Sequence, residues 1–324
     1  MRQSKVIPFT RYRYIAFSFS LIVILLGVVF YFINGGIRFG IDFSGGITIQ
    51  IKFYKTGMDI ATFRNFCSQN GFGSNITQIG GNDSQQYVLR IQATKESNLN
   101  NQRIEDFKSI LQKNFSSSEY EILSVNLVGP SSSTKMSYTS VIMLLVVIIL
   151  ILLYTFLRFK DFKYSFGAVL SIIHDAFFIL SIIIIFKREL NSQTLAGILT
   201  LLGYSLNDSI VVLSKIKENE FQYVSQNISK ELKKKLSSYN EQSTIVINSF
   251  MDNIDHSITI TLNRTIITAL TTIVISLSIL ILGGIPTRDF AFILSIGLII
   301  GTYSSIYIAS PVLLMWGNPV YNKK

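Results

Sequence analysis

Apolar residues in this chain gather into six long runs, 14–33, 136–157, 164–186, 194–214, 264–285 and 290–316, separated by polar segments. Each run approaches the roughly 20 residues a helix needs to cross a bilayer. One globular core could not bury six uninterrupted apolar cylinders, so the pattern predicts a polytopic α-helical membrane protein with six transmembrane helices. Between the first two runs, residues 34–135 lose this character and alternate between two periods. ITIQIKF (47–53) places Ile47, Ile49, Ile51 and Phe53 on one face, as a half-buried strand does. Residues 58–69 space Ile60, Phe63, Phe66 and Cys67 as a helix, which Gly71 and Gly73 end. Alternation at 76–80, a GGND turn at 80–83 and YVLRIQ at 87–92 read as a hairpin. A second amphipathic helix at 98–114 and the strand YEILSVNLV at 120–128 complete a β-α-β-β-α-β order, the α+β ferredoxin-like plan.

The remaining segments read as connections. GPSSSTK (129–135) is a polar linker back into the membrane, and RFKDFK (158–163) is too short to hold a domain, making spans two and three an antiparallel hairpin. Residues 215–263 read as a partly helical cytoplasmic excursion, whose basic run Lys233–Lys235 is a solvated face near anionic headgroups. The basic start followed by an uncleaved apolar run of about 20 residues reads as a signal anchor.

Of the 324 residues 49% are hydrophobic and only 15% charged, against roughly 25% in soluble proteins, which agrees with the membrane reading. The net charge of +10 does not point to nucleic acid, because the basic residues do not share one surface. Sixteen Lys and Arg flank the N-terminal, 158–163, 215–264 and C-terminal segments, whereas the short opposite loops hold only Lys187, Arg188 and Arg288. The positive-inside rule therefore puts the termini, 1–13 and 317–324, in the cytoplasm and 34–135 outside, in the periplasm. Cys67 is the single cysteine, so no intrachain disulfide or cysteine-based metal site can be proposed. The glycines at 35, 36, 40, 45 and 46 precede no GK[ST] and read as turns rather than a phosphate loop. No zinc helix or nucleophile elbow appears, so neither cofactor, metal nor catalytic residue is expected.

A charge at the centre of a transmembrane helix costs at least about 2.5–3.5 kcal/mol on insertion scales, so such residues require a reason. They are His174 and Asp175 in span three, and Asp208 beside Asn207 in span four, with Tyr204 one turn before Asp208 on the same face. An acid that alternates between a dry setting and an arginine partner can take up and release a proton. Arg264 stands at the mouth of span five, where hydropathy alone reads it as a positive-inside anchor. His174 and Asp175, as neighbours, point about 100° apart and are not expected to share a face. Gly203 could permit close helix approach, and His256 has no role.

Several strings then match a known family in its order: GIDFSGG (40–46), VGPSSS (128–133), LRFKDFKYSFGAVLSIIHD (157–175), LLGYSLNDSIVVLSKIKEN (201–219), SITITLNRTIITALTT (257–272), LGG (282–284) and GTYSSIYIASPVLL (301–314). On these the chain resembles the SecD/SecF family of protein-export membrane subunits, and within it the smaller SecF type. The resemblance implies a half-transporter of the resistance-nodulation-division (RND) superfamily in the inner membrane. It would pair with SecD so that twelve spans surround a proton path and assist the SecYEG translocon in late export of a polypeptide, with YajC and YidC as further partners alongside membrane lipid. The family's YSLND motif falls on Tyr204–Asp208 and its L-x-R-T motif on Leu262–Thr265. Asp208 and Arg264 are thereby the implied proton-coupling residues, with Tyr204, Asn207, His174 and Asp175 as supporting polar groups. Two departures are visible: residues 221–250 are longer than the usual loop, and VGPSSS lacks a later glycine. Rival readings are an independent proton-coupled exporter of lipids or small molecules, and a passive scaffold of the translocase.

Overall fold

The computed structural model describes residues 6–54, 58–73, 76–79, 85–91, 97–232 and 239–316. In chain order the elements are a 3₁₀ turn Phe9–Tyr12, α1 Arg13–Ile33, α2 Ile41–Ser44, β1 Gly46–Phe53, α3 Ile60–Gln69, β2 Ile76–Ile79, β3 Gln86–Ile91, α4 Ser97–Asn114, β4 Tyr120–Val128, α5 Pro130–Phe159, α6 Phe162–Ile185, α7 Ser192–Leu232, α8 Tyr239–Leu282 and α9 Ile285–Ser304. A π turn, Ser305–Ala309, and the short α10, Ser310–Val312, continue α9. The residues fall into two compact units: 39–143 with 189–192, and the rest.

The smaller unit holds one antiparallel sheet in the order β2-β3-β1-β4, the ferredoxin-like arrangement that the alternation predicts. Strand β1 is central, and Ile47, Ile49, Ile51 and Phe53 all lie buried against Phe63 and Cys67 of α3 and Phe107 and Leu111 of α4. Each such side chain contributes about 1.5–3 kcal/mol by leaving water. Helix α3 starts where the Asp59 carboxylate accepts the Thr62 N–H at 2.8 Å. It stops at Gly71 and Gly73, both in the left-handed region at φ +79°. Burial pushes the Cys67 thiol up to about 12, as suits a core side chain. The expected GGND turn lies outside the described residues.

The larger unit is a helix bundle. Among the described residues, six helical segments are long and apolar enough to cross a membrane: Phe9–Ile33, Pro130–Phe159, Phe162–Ile185, Ser192–Glu220, Phe250–Leu282 and Thr287–Met315. The segments Phe162–Ile185 and Thr287–Met315 are the most buried, and Pro130–Phe159 and Phe250–Leu282 the least. Helix α8 packs on α9, α9 on α6 and α6 on α1. Where α6 begins, at the end away from its turn into α7, Lys163 pairs with Glu220 of α7 at 2.6 Å and the Tyr164 hydroxyl donates to the same carboxylate at 2.7 Å.

Two expectations change. GPSSSTK is no linker: Pro130 opens α5, and the Ser133 and Thr134 hydroxyls donate back to the Pro130 carbonyl at 3.0 and 2.9 Å. Proline suits a first helical turn because its missing N–H has no intrahelical partner there, so a polar, turn-rich string can begin a helix. The 215–263 excursion is helical wherever it is described, α7 running on to Leu232 and α8 starting at Tyr239. The Lys233–Lys235 run lies outside the described residues. Arg264 accordingly lies within α8, with helix on both sides of it.

Candidate functional site

Three helices of the bundle converge on Asp175. Ser171, His174 and Asp175 come from α6, Ser205, Asp208 and Ser209 from α7, and Thr302 and Ser304 from the end of α9. Four-residue spacing sets Ser171 and Asp175 on one face, and Ser205 and Ser209 on another. Asp175 is fully buried. Its Oδ2 accepts the hydroxyls of Ser205 and of Ser304, the latter at 2.8 Å, while Oδ1 lies 2.9 Å from His174 Nδ1. Ser171 Oγ sits 3.1 Å from Ser209 Oγ and 3.3 Å from Ser304 Oγ, joining the same three helices a second time. A buried carboxylate needs such donors, because nothing else replaces the water it has lost.

Glycine brings the helices this close. A Cβ at Gly301 would lie 3.1 Å from the Ser205 Cβ, and one at Gly297 2.6–2.9 Å from Leu201, so the GLIIG face of α9 seats directly on α7. Across the π turn, a Cβ at Gly167 of α6 would meet the Ala309 carbonyl at 2.9 Å. Pro311 follows closely; it has no N–H to continue the ladder, and the Ser310 hydroxyl donates to the Ser305 carbonyl at 2.9 Å. Gly203, the glycine expected to allow close approach, faces nothing within 4 Å.

The other sequence-predicted residues are arranged differently. Asp208 is half-buried, with the Thr302 hydroxyl 3.4 Å from Oδ2, a long contact. No ion pair within 4 Å joins it to Arg264, whose charge acts on it across a wider gap. Tyr204, Asn207 and Arg264 are exposed, so this polar face opens away from the chain. His174 and Asp175 do meet, contrary to expectation: the 100° between their Cα–Cβ bonds is closed by side-chain torsion. His174 Nε2 is buried without a hydrogen-bond partner, its ring beside Phe178 and Tyr303. The roles of Ser171, Thr302 and Ser304 were not anticipated. Their signal is modest: single hydroxyls at helical spacing within apolar runs.

Residues 106–319 match the family described as protein export membrane protein SecD/SecF, C-terminal, and residues 30–55 match the SecD/SecF GG motif. The chain is 31% identical over 316 residues to the protein translocase subunit SecF of Rickettsia rickettsii, covering 98% of this chain and 94% of that one. The SecF subunit of Rickettsia prowazekii is equally similar, at 31% over 316 residues with 98% and 93% covered. Among solved structures, SecDF of Thermus thermophilus, a translocon-associated membrane protein, superposes with a TM-score of 0.77 at 27% identity over 98% of this chain. A crystal structure of SecDF in a super-membrane-facing form gives 0.62 at 27% identity over 97%. This chain spans 39% of either SecDF chain.

Proposed function

Because the chain belongs to the SecD/SecF family of protein-export membrane proteins, we propose that it pairs with SecD in the inner membrane and uses the proton gradient to promote late steps of polypeptide export. In this reading both termini are cytoplasmic and residues 34–135 are periplasmic, which the distribution of Lys and Arg supports. One observation supports it most: of the two acids midway along α6 and the apolar part of α7, Asp175 is saturated by three partners whereas Asp208 is not. Asp208 has one long contact, a distant arginine, and a polar face of Tyr204 and Asn207 open to a second half. An acid so placed can change its protonation without breaking the bundle. When Asp208 is ionised it attracts Arg264; when it takes up a proton the attraction lapses, and α7 and α8 are free to shift. Each charge crossing 100 mV supplies about 2.3 kcal/mol, so a few protons suffice for a rearrangement of several kcal/mol.

The test uses SecD co-expressed with each variant chain. Asp208→Asn and Arg264→Met are each expected to assemble with SecD normally and to abolish the proton-dependent stimulation of late translocation in inverted membrane vesicles. Undiminished stimulation in both variants would remove proton coupling from these residues.

A further inference from the structure

The segment GIDFSGG (40–46) has no role in the reading above, yet it holds the turn between α6 and α7. Residues 189–192 lie along it. The Gly40 N–H donates to the Leu190 carbonyl at 2.8 Å, and Phe39 and Leu190 form a parallel bridge. The Ser192 N–H, at the start of α7, donates to Asp42 Oδ2 at 2.8 Å. Arg90 of β3 pairs with Glu189 at 2.9 Å, each side chain 22% exposed, and its other guanidinium nitrogen donates to Thr77 of β2. The glycines make the fit possible. A Cβ at Gly40 would lie 2.8 Å from the Asn191 Cβ, and one at Gly46 2.9 Å from the Ile91 carbonyl. Gly45 and Gly46 also hold φ of +72° and +154°, where side chains are strained. Asp42 does more than bond: an anion at the N-terminus of a helix opposes its dipole, so the carboxylate favours this position over others for the α7 end.

We infer that GIDFSGG is a clamp on the α6–α7 turn, with Asp42 and the Arg90–Glu189 pair as positioning residues that make this turn move with the sheet as one piece. The inference rests on the proposed proton-driven function and supplies its mechanical link. Asp208 lies on α7 itself, about 24 Å along the helix from the clamped Ser192. A helix transmits an axial shift over that distance, so a change at Asp208 reaches the sheet through the clamp. The same contacts would also be made by a simple fold staple, and the two differ in what their loss does. Losing a staple weakens everything together; losing a clamp leaves proton movement intact and disconnects it from export.

The decisive experiment measures proton flow and export stimulation separately in reconstituted complexes with SecD. Arg90→Glu and Glu189→Arg each set like charges against one another. Each is expected to keep proton flow while lowering export stimulation roughly fivefold or more, the lower end of ordinary coupling between sites. Arg90→Glu with Glu189→Arg restores the pair with its signs exchanged and is expected to recover stimulation. Asp42→Ala, which removes the acceptor at α7, is expected to behave as the single reversals do and decides the matter should either of those fail to assemble. Full stimulation in the single variants, or a parallel loss of proton flow and stimulation that the double reversal does not repair, overturns the clamp. A wild-type complex whose stimulation ignores the proton gradient overturns the proposed function and the clamp with it. Normal wild-type coupling that survives Arg90→Glu and Asp42→Ala overturns the clamp alone.

Discussion

Both oxygens of Asp175 are occupied, Oδ1 by His174 and Oδ2 by Ser205 and Ser304. Removing the carboxylate would strand donors from three helices in an apolar interior. Asp175→Ala is therefore expected to lower stability by at least about 1–3 kcal/mol, the cost of leaving a buried donor without its acceptor, and Asp175→Asn by less, since one acceptor oxygen remains. Thermal unfolding in detergent measures both, and Asp208→Asn in the same assay should change little. Hydropathy shows both acids, because any charge stands out in an apolar run. It does not distinguish the saturated one from the poised one. That difference lies in Ser171, Ser205 and Ser304, whose hydroxyls weigh little in hydropathy and whose direction depends on how three helices are rotated. The expected separation of His174 from Asp175 follows from backbone geometry alone, and fails because two short side chains can lean together.

Among the elements, the α+β unit was legible because two-residue alternation, amphipathic helices and turn glycines all agree there. Helix ends in the bundle were less so. Hydropathy reports where lipid ends, not where hydrogen bonding ends. The polar stretch before Arg264 stays helical because its polar groups find partners: Asn253 Nδ2 donates to the Ile216 carbonyl at 2.9 Å, and Asp255 accepts from the Thr10 N–H at 2.8 Å and its hydroxyl at 2.9 Å. Helix contacts needed a second glycine to be seen, since Gly297 and Gly301 act as a pair and Gly203 does not. Gly301→Leu is expected to push α9 off Ser205 and destabilise the chain by about 1–3 kcal/mol, whereas Gly203→Leu leaves its melting temperature unchanged. Parallel melts of the two variants check this.

For the molecule as a whole, apolar side chains exposed along α1, α5 and α8 suit a lipid surround, but Tyr204, Asn207 and Arg264 do not. If SecD covers them, a probe there changes environment on pairing. Cys67 is buried with its thiol pushed up to about 12, so it stays silent at neutral pH and Asn207→Cys can be read alone. Maleimide labelling at that position is expected to be fast in the isolated chain and slowed when SecD is co-purified; equal rates would place the partner on another face. Chain length is constrained in its own way near the C-terminal end. The π turn at Ser305–Ala309 carries one residue more than an α-helical turn would, and Leu313 beyond it packs with Tyr164 and Ile216. Deleting a single residue there only removes the excess, so the helix closes to regular geometry with Leu313 on the same face, whereas the same deletion in a regular turn of α9 swings Leu313 through about 100° and leaves a hole where the side chain stood.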